Sequence, residues 1–420
     1  MGTGKSLFII FIAALVVRLL FLLNPVETGD SDEYRTYGEN LVNYHIFSFS
    51  ENDPKVPSTF RTPVYPFFIA LFYWLFGIND MSVFIVQCII SALTCLLVYF
   101  IALDLFDKRI AFGSGLICAL HPFLAWTATT LMTEALFTFI FTGAVLLFVK
   151  AFRYQRALLF FIGGILLGAA TLTKPTSQFF FVYVLVFLLL LNPRKVFLKN
   201  AFVFLLGLVI LLIPWGIRNY RVTGEFIPIS SGGKGVNLYL ATVNENVYDD
   251  VKQQECHITA QKDPLYAEYL MGLSSGRVIY VEKKMWQAAL VNIKNNPVSY
   301  ILRRLRNHFF LWIGSSYLVR LSNSSLLKFG SFGLLILKFA IIFFLHLLPI
   351  VVFILTGLFL RSQWKRFAFV YFVPFYFSFV HLPIHIETRY SIPAFPFILI
   401  FCFFGLWQIF HKHNNMKECY

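Results

Sequence analysis

Long apolar runs separated by short polar gaps make up most of the chain. A helix that crosses a lipid bilayer needs about 20 mostly apolar residues, and the sequence supplies many runs of about that length. The pattern predicts about ten spans, at residues 7–23, 82–104, 109–127, 130–150, 156–173, 175–192, 197–216, 335–360, 367–384 and 390–411. We therefore expect an all-α polytopic membrane protein.

The composition supports a membrane protein and excludes a soluble domain. Of the 420 residues, 58% are hydrophobic, 19% are aromatic and only 13% are charged, whereas a soluble domain carries about 25% charged residues. The net charge of +14 comes largely from basic residues in the gaps between spans. It indicates membrane orientation and contact with anionic lipids, not binding of nucleic acid.

Basic residues mark alternate gaps as cytoplasmic, because cytoplasmic loops of membrane proteins are enriched in Lys and Arg. These gaps contain Lys108, Arg109, Lys150, Arg153, Arg156, Arg194, Lys195, Lys199, Arg361, Lys365 and Arg366. With both termini inside, the remaining gaps face outward, and the two long ones are 24–81 and 217–330. The candidate chemistry lies in these outward segments.

One apolar run breaks the alternation if it crosses the membrane. Residues 64–79 are barely long enough to span, and counting them as a span would turn Lys108 and Arg109 outward. We predict a helix that lies in, or re-enters, the outer leaflet, and Pro63 and Pro66 suit its start. A short true span is the alternative.

A group of acids follows the first span directly. Asp30, Asp32 and Glu33 come within a turn or two of its end, and residues 32–44 have the period of an amphipathic surface helix with Tyr34 on its apolar stripe. Asp30 and Glu33 have the spacing of a capping box for this helix. The other interpretation is that Asp30 points into a cavity as a base, and the residues alone leave the two about even.

Four further outward positions carry isolated charges. Arg61, next to Tyr65 at the start of 64–79, suits a bidentate grip on a lipid phosphate, although an interfacial Arg is also common. Glu134 opens a span, where an acid is costly unless it is paired or lines water. Lys174 sits at a short outer turn against the usual charge bias, which favours a functional partner. Arg389 precedes the last span, with interfacial anchoring as its alternative.

The long outer segment 217–330 contains weaker candidates. Arg218 follows the end of the predicted span 197–216. A glycine-rich run that suits a flexible loop then precedes Asn237 and Tyr239, which are candidate sugar contacts. Residues 265–308 predict two helices broken at Asn295-Asn296-Pro297, the second of them basic, amphipathic and lying on the membrane. We expect an N-terminal membrane module over 1–216, an outer loop region over 217–330 and C-terminal spans over 331–420.

The six cysteines are scattered, and their spacing favours neither a disulfide framework nor a metal site. Four of them, Cys88, Cys95, Cys118 and Cys402, lie in apolar runs.

Several short motifs occur together in a specific order. They are Asp30-x-x-x-Tyr34, Arg61-Thr-Pro-x-Tyr-Pro66, Thr133-Glu134, Gly164-x-x-x-Gly168-x-x-x-Leu172-Thr-Lys-Pro175, Pro214-Trp-x-x-Arg-Asn-Tyr220 and Arg389-Tyr-x-x-Pro393. This series resembles the GT-C glycosyltransferases related to protein O-mannosyltransferases and to lipid A aminoarabinose transferase. The resemblance extends over nearly the whole chain.

The resemblance implies a GT-C-like helix bundle whose active site faces the outside, a polyprenyl-phosphate-sugar donor and inversion at the anomeric carbon. It implies that Asp30 is the catalytic carboxylate and Glu134 a second acid, with Asp32 or Glu33 as alternatives to Asp30. An acceptor hydroxyl needs a base as it attacks, and the lipid phosphate that leaves needs fixed cations. Arg61, Lys174 and Arg389 are the candidate phosphate ligands, while Tyr34, Tyr65, Arg218, Asn237 and Tyr239 are candidate substrate contacts. A divalent metal is compatible with this chemistry, although the sequence shows no definite ligand set.

The predicted function is transfer of a sugar to an extracytoplasmic lipid, glycan or protein, by an enzyme of the bacterial inner membrane. The rival hypothesis is a transporter or flippase for a lipid-linked saccharide, whose charged residues would line a pathway. Transporters of this kind are often built from inverted repeats, and no convincing repeat is visible. The acids also gather at one predicted face and not at the midplane.

Overall fold

The computed structural model describes residues 2–25, 30–49, 53–243, 263–275, 278–313, 340 and 342–417. Within these ranges the chain consists of helices and loops, without β-strands. In chain order the longer elements are α1 (Thr3–Leu22), α2 (Ser31–Tyr44), α3 (Val64–Phe76), α4 (Asp80–Leu105), α5 (Lys108–Leu120), α6 (Pro122–Trp126), α7 (Glu134–Tyr154), α8 (Ala157–Thr173), α9 (Phe180–Leu191), α10 (Arg194–Thr223), α11 (Lys234–Val243), α12 (Pro264–Ser275), α13 (Val278–Asn295), α14 (Pro297–Trp312), α15 (Leu348–Leu360), α16 (Trp364–Tyr371), α17 (Val373–His381) and α18 (Phe395–Lys417).

Six helices in the described part are long and apolar enough to cross a membrane, and a bent pair formed by Lys108–Leu120 and Pro122–Thr129 makes up to seven. The six are α1, α4, α7, α10, Phe343–Leu360 and Thr388–Phe410. The chain is thus an all-α polytopic membrane protein, as predicted. The predicted number of about ten spans is not confirmed.

Three of the predicted spans form apolar helices that are shorter than these six or are interrupted. Residues 156–173 form the 17-residue helix α8, and 175–192 contain a 3₁₀ turn before the 12-residue helix α9. Residues 367–384 are divided between α16 and α17, with a proline in the first turn of α17. These segments were predicted as spans because they are apolar, but prolines interrupt continuous helix. The 12 residues of α9 rise only about 18 Å, whereas the hydrocarbon core of a bilayer is about 30 Å thick.

A buried arginine stabilises the bend between α5 and α6. The helix stops at Leu120 and restarts at Pro122, turning by 56°. Arg18 on α1 is completely buried and donates from Nη1 to the carbonyl of Ala119 at 2.6 Å. It also donates from Nε to Ser91 Oγ at 3.0 Å. The side chain therefore satisfies a carbonyl that the helix break leaves without an intrahelical partner.

Glycines let α8 and α10 approach closely. A Cβ atom on Gly164 would lie 2.3 Å from the Phe204 carbonyl oxygen, and one on Gly207 would lie 2.2 Å from that of Phe161. Small residues at such helix contacts are typical of membrane bundles. The contact fixes the end of α8, from which Lys174 projects.

Helices α2 and α3 lie at the same end of the bundle as the start of α4. Arg35 on α2 donates from Nη2 to Asp80 Oδ2 at 2.8 Å, and Tyr73 on α3 donates to the same carboxylate. Asp80 is the first residue of α4, so the chain returns to the end at which α1 finished. This arrangement fits the prediction that α3 does not cross the membrane.

Helices α11, α12 and α13 share a second, smaller core, whose buried residues include Phe60, Tyr239, Tyr269, Val281 and Met285. The predicted break at 295–297 is observed, since α13 ends at Asn295 and α14 begins at Pro297. The glycine-rich run is packed and not open: Glu282 accepts hydrogen bonds from the N–H groups of Gly233 and Gly235, at 2.8 and 2.5 Å.

Candidate active site

Asp30 lies just before α2 and bridges two arginines. Its Oδ1 is 2.8 Å from Arg61 Nη2, and its Oδ2 is 2.7 Å from Arg389 Nη2. The side chain makes no capping hydrogen bond to α2, and Glu33 contacts Arg61 instead of turning back to the helix start. The capping box is therefore not formed, and the Asp30 carboxylate points toward the other predicted site residues.

Arg61 is held by charge and by aromatic rings. Its Nη2 lies 2.7 Å from Glu33 Oε2, and its guanidinium sits over the ring of Tyr34 at 5.2 Å. The next residue, Thr62, donates to the carbonyl of Thr173 at 2.9 Å, which brings this segment to the end of α8. Arg61 is thus a fixed part of the site and not a loose interfacial anchor.

Glu134 and Lys174 form a buried ion pair. Lys174 Nζ lies 2.7 Å from Glu134 Oε1, and the Glu134 side chain is only 2% exposed. The ammonium group also sits 4.9 Å from the centre of the Tyr390 ring. An acid at the start of a membrane helix is costly when it is alone, and Lys174 supplies the compensating charge.

Arg389 connects the two halves of the site. Besides Asp30, it contacts Glu387 Oε2 through Nε at 2.6 Å, and its Nε lies 3.9 Å from Glu134 Oε1. Glu387 in turn accepts a hydrogen bond from the Tyr390 hydroxyl at 3.0 Å. Glu387 and Tyr390 are not among the predicted site residues, although both lie within two residues of Arg389 in the segment Glu387-Thr-Arg-Tyr390.

These charged side chains form one ion cluster, in which carboxylates and cations alternate. Its members are Asp30, Glu33, Arg61, Glu134, Lys174, Glu387 and Arg389. The side chains of Asp30 and Arg61 are each 25% exposed, so solvent or a substrate can reach them. Segments far apart in the sequence supply the members.

The arginines control the ionisation of Asp30. Burial alone would raise the pKa of Asp30, but the positive charges of Arg389 and Arg61 outweigh it and hold the pKa of the carboxyl well below its usual range. Burial likewise opposes ionisation of Glu387, while Arg389 and His385 lower the pKa of that carboxyl. Asp30 and Glu387 are therefore anionic at neutral pH, and Asp30 is a weak base while both arginines hold it.

Neutral polar residues support the irregular segment that precedes Glu134. Gln87 donates from Nε2 to the carbonyls of Ala128 and Thr130, at 3.2 and 2.9 Å. Its Oε1 accepts a hydrogen bond of 2.8 Å from the Tyr65 hydroxyl. Tyr65 is fully buried and packs edge-on against Tyr34, so it is part of the support of the site and its hydroxyl does not face a substrate.

Three predicted substrate contacts lie away from the ion cluster. Arg218 donates to the carbonyl of Ser58 at 2.5 Å and stacks on Trp215. Tyr239 is buried in the outer core, with its hydroxyl on Asp263. Asn237 comes nearer, because its carbonyl accepts the N–H of His385, two residues before Glu387. The sequence could not separate these cases, since it does not show which partners are near.

The described residues do not form a metal site. Among the described residues, no group of three or more His, Cys, Asp or Glu side chains is arranged to hold a metal ion. Asp30, Glu33, Glu134 and Glu387 each contact an Arg or Lys instead. The donor set therefore does not fit a divalent ion in this arrangement.

Comparisons with known proteins support the resemblance that the motifs suggest. The sequence profile of the dolichyl-phosphate-mannose-protein mannosyltransferase family matches residues 59–216, which is less than half of the chain. This stretch contains Arg61, Glu134 and Lys174. Among curated proteins, no sequence matches the chain.

Solved structures extend the likeness to almost the whole chain. The apo crystal structure of the oligosaccharyltransferase of Archaeoglobus fulgidus is similar with a TM-score of 0.58 at 14% identity, covering 99% of this chain and 51% of that one. The chain has a GT-C fold. The oligosaccharyltransferase AglB of the same organism, solved with an inhibitory peptide and a dolichol-phosphate, gives a TM-score of 0.57 at 14% identity and the same coverage.

The likeness shows the fold and not the activity of those enzymes. The chain spans about half the length of the archaeal oligosaccharyltransferases. ArnT of Cupriavidus metallidurans bound to undecaprenyl phosphate is 15% identical over 97% of this chain and 77% of that one, with a TM-score of 0.41. That score is below the level that indicates a shared fold. The GT-C resemblance inferred from the motifs is confirmed at the level of fold.

Proposed function

We propose that this chain is a glycosyltransferase that moves a sugar from a polyprenyl-phosphate-linked donor to an extracytoplasmic acceptor, with inversion at the anomeric carbon. The observation that carries the proposal is the ion cluster, in which two candidate acids and three candidate phosphate ligands meet at one end of a GT-C bundle. The mannosyltransferase profile over 59–216 supports the reaction class.

Asp30 acts as the base in this proposal. The acceptor hydroxyl oxygen bonds to the anomeric carbon, the bond from that carbon to the phosphate oxygen breaks, and its electron pair leaves with the lipid phosphate. The acceptor proton passes to an Asp30 oxygen. A carboxylate held by two arginines is a weak base, so Asp30 needs one of them to turn elsewhere before it can accept a proton.

Binding of the donor phosphate would draw an arginine away from Asp30. Arg61 and Arg389 present guanidinium groups to Asp30 at 2.8 and 2.7 Å, and a phosphate is a competing ligand of matching geometry. When the phosphate binds them, the Asp30 carboxylate loses part of its charge pairing and its basicity rises. The same cations then stabilise the charge that develops on the leaving phosphate.

Glu134 and Lys174 complete the site on the bundle side. Lys174 contributes a third positive charge that a phosphate oxygen can approach, and Glu134 holds it through a 2.7 Å ion pair. Glu387 and Tyr390 position Arg389 from the other side. A lipid, a glycan or a protein could supply the acceptor hydroxyl, and we place the enzyme in the bacterial inner membrane with the cluster facing outward.

Turnover by the purified chain in lipid nanodiscs tests the proposal. Polyprenyl-phosphate sugars of several kinds are incubated with candidate acceptors, and free polyprenyl phosphate and glycosylated product are measured together. We expect equal amounts of both, and about 10²–10⁴-fold slower formation of both by the Asp30→Asn variant. Movement of the lipid-linked sugar across a proteoliposome membrane without release of polyprenyl phosphate would favour the flippase instead.

A further inference from the structure

A cavity of about 320 Å³ lies at the end of the bundle that is remote from the ion cluster. It is bounded by the junction of α4 and α5, by the turn between α15 and α16, and by α18. Asp80, the first residue of α4, contacts α2 near the ion cluster, whereas Leu105, the last residue, lines the cavity. The 26 residues of α4, about 39 Å of helix, therefore separate the cavity from the candidate active site.

The lining of the cavity is amphiphilic. Its polar members are Asp107, Gln363, Arg366 and Gln408, and its aromatic members are Phe106, Phe359, Phe367, Phe404 and Trp407. Phe359 and Phe404 precede Gln363 and Gln408 by four residues, so each ring lies deeper in the bundle than its amide. A layer of polar groups over a layer of rings suits a ligand with a polar head and an apolar body, and the volume is that of a small-molecule site.

The two charged groups of the lining are not paired with each other. Within the described part of the chain, neither Arg366 nor Asp107 has an ion-pair partner, and Arg366 sits over the ring of Phe367 at 5.3 Å. Asp107 Oδ1 caps α5 by accepting the N–H groups of Arg109 and Ile110, at 2.7 and 3.1 Å. A guanidinium and a carboxylate oxygen therefore remain available to one ligand.

A cation and an acid in one cavity match a zwitterionic head group. A phospholipid phosphate is a good partner for the guanidinium of Arg366, and a primary ammonium group brings three N–H donors to Asp107. The basic residues of the nearby gaps by themselves favour anionic lipids. An anionic head group, however, would leave Asp107 facing a like charge.

We propose that this cavity binds phosphatidylethanolamine. The lipid phosphate contacts Arg366, the ammonium group contacts Asp107, and the glycerol and first acyl carbons pack on the aromatic rings. Bound in this way, the lipid connects the junction of α4 and α5 to α16 and α18. The site is separate from the proposed donor site and does not rest on the proposed function.

Lipid binding to the purified full chain tests the proposal. The delipidated protein in detergent is titrated with phosphatidylethanolamine, phosphatidylglycerol or phosphatidylcholine of the same acyl chains, and native mass spectrometry measures the bound lipid. Phosphatidylcholine keeps the phosphate and the net charge but lacks ammonium N–H donors. The variants are Arg366→Gln and Asp107→Asn, since Asn is nearly as good a helix cap as Asp. Arg361→Gln is the matched control, because Arg361 is exposed on the same turn and does not line the cavity.

We expect the unmodified chain to bind phosphatidylethanolamine several-fold more tightly than the other two lipids. Arg366→Gln should weaken this binding several-fold, Asp107→Asn should remove the preference over phosphatidylcholine, and Arg361→Gln should change neither. Equal binding of the three lipids, a preference for phosphatidylglycerol, or binding that both cavity variants leave unchanged would overturn the proposal. The comparison of lipids on the unmodified chain needs no variant to fold. Sugar transfer is not measured, so a negative result leaves the proposed function standing.

Discussion

The surroundings of Arg18 differ from those of Arg61 and Arg389 in the ion cluster. Arg18 is completely buried, and its hydrogen bonds go to neutral groups such as the Ala119 carbonyl and Ser91. The described residues give Arg18 no ion-pair partner. In the ion cluster, Arg61 and Arg389 face carboxylates and are 25% and 19% exposed.

The difference separates a structural cation from one that can exchange its partner. Backbone carbonyls cannot leave Arg18 without unfolding the break between α5 and α6, so that arginine is fixed in place. Carboxylate side chains can rotate, and an entering anion that reaches the partly exposed arginines can replace them. We therefore propose a role in folding for Arg18 and a role in substrate binding for the cations of the cluster.

The largest expected effect is loss of transfer in Asp30→Asn. The amide keeps the shape of the side chain but does not accept the acceptor proton, and general-base catalysis is worth about 10²–10⁴-fold. Transfer is measured in nanodiscs, with thermal unfolding as a check on the fold. Asp32→Asn is the matched control, because Asp32 pairs with Arg35 outside the ion cluster. A normal rate in Asp30→Asn would move the search for the base to Glu33.

The next effect concerns the cations of the cluster. Arg61→Ala and Lys174→Ala should each weaken use of the donor about tenfold or more, since a charge-assisted contact contributes about 1.5–3 kcal/mol. The double variant should lose less than the sum of the two, because both act on one phosphate. Donor saturation curves provide the measurement, and Arg35→Ala is the control. Unchanged curves in both single variants would remove these residues from the site.

Arg18→Met should show the opposite pattern. Loss of its hydrogen bonds leaves the Ala119 carbonyl unpaired at the helix break, which costs about 1–3 kcal/mol of the free energy of unfolding. Thermal unfolding should therefore shift to lower temperature, while the dependence of residual transfer on donor concentration stays the same. A changed donor dependence at unchanged stability would contradict the structural role.

The smallest expected effect is a pH shift in Arg61→Gln. Burial raises the pKa of Asp30, and Arg389 and Arg61 lower it, so removal of Arg61 should raise that pKa. A base with a higher pKa is protonated at higher pH, and the acid limb of kcat/KM should move upward. The profile is compared with that of Arg35→Gln, and coincident acid limbs would show that Arg61 does not control the base.

Much of the fold follows from the apolar pattern. The strongest predicted spans correspond to α1, α4, α7, α10 and α18, and the surface helix at 32–44 appears as Ser31–Tyr44. Segments 156–173, 175–192 and 367–384 were predicted as spans because they are apolar. Hydropathy reports the solvent that a segment prefers, whereas the length of continuous helix depends on prolines and on neighbouring helices.

The sequence predicted most members of the ion cluster but not which of them contact one another. Asp30, Glu134, Arg61, Lys174 and Arg389 do converge. Glu387 was not predicted. Arg218 was predicted as a substrate contact, although its guanidinium donates a hydrogen bond to a backbone carbonyl. A charge at an outward helix end looks the same in sequence whether its partner is a carboxylate, a carbonyl or a lipid.

The sequence by itself determined that most of this chain lies in lipid, since so many apolar runs are unfavourable in water. It also predicted that the candidate acids and phosphate ligands share one face of the membrane. Only the tertiary structure decided which charges meet, because an ion pair requires two atoms within a few ångströms. Asp30 and Arg389 are far apart in the chain and lie 2.7 Å apart in space. That distance depends on the packing of the helices between them, which no local pattern encodes.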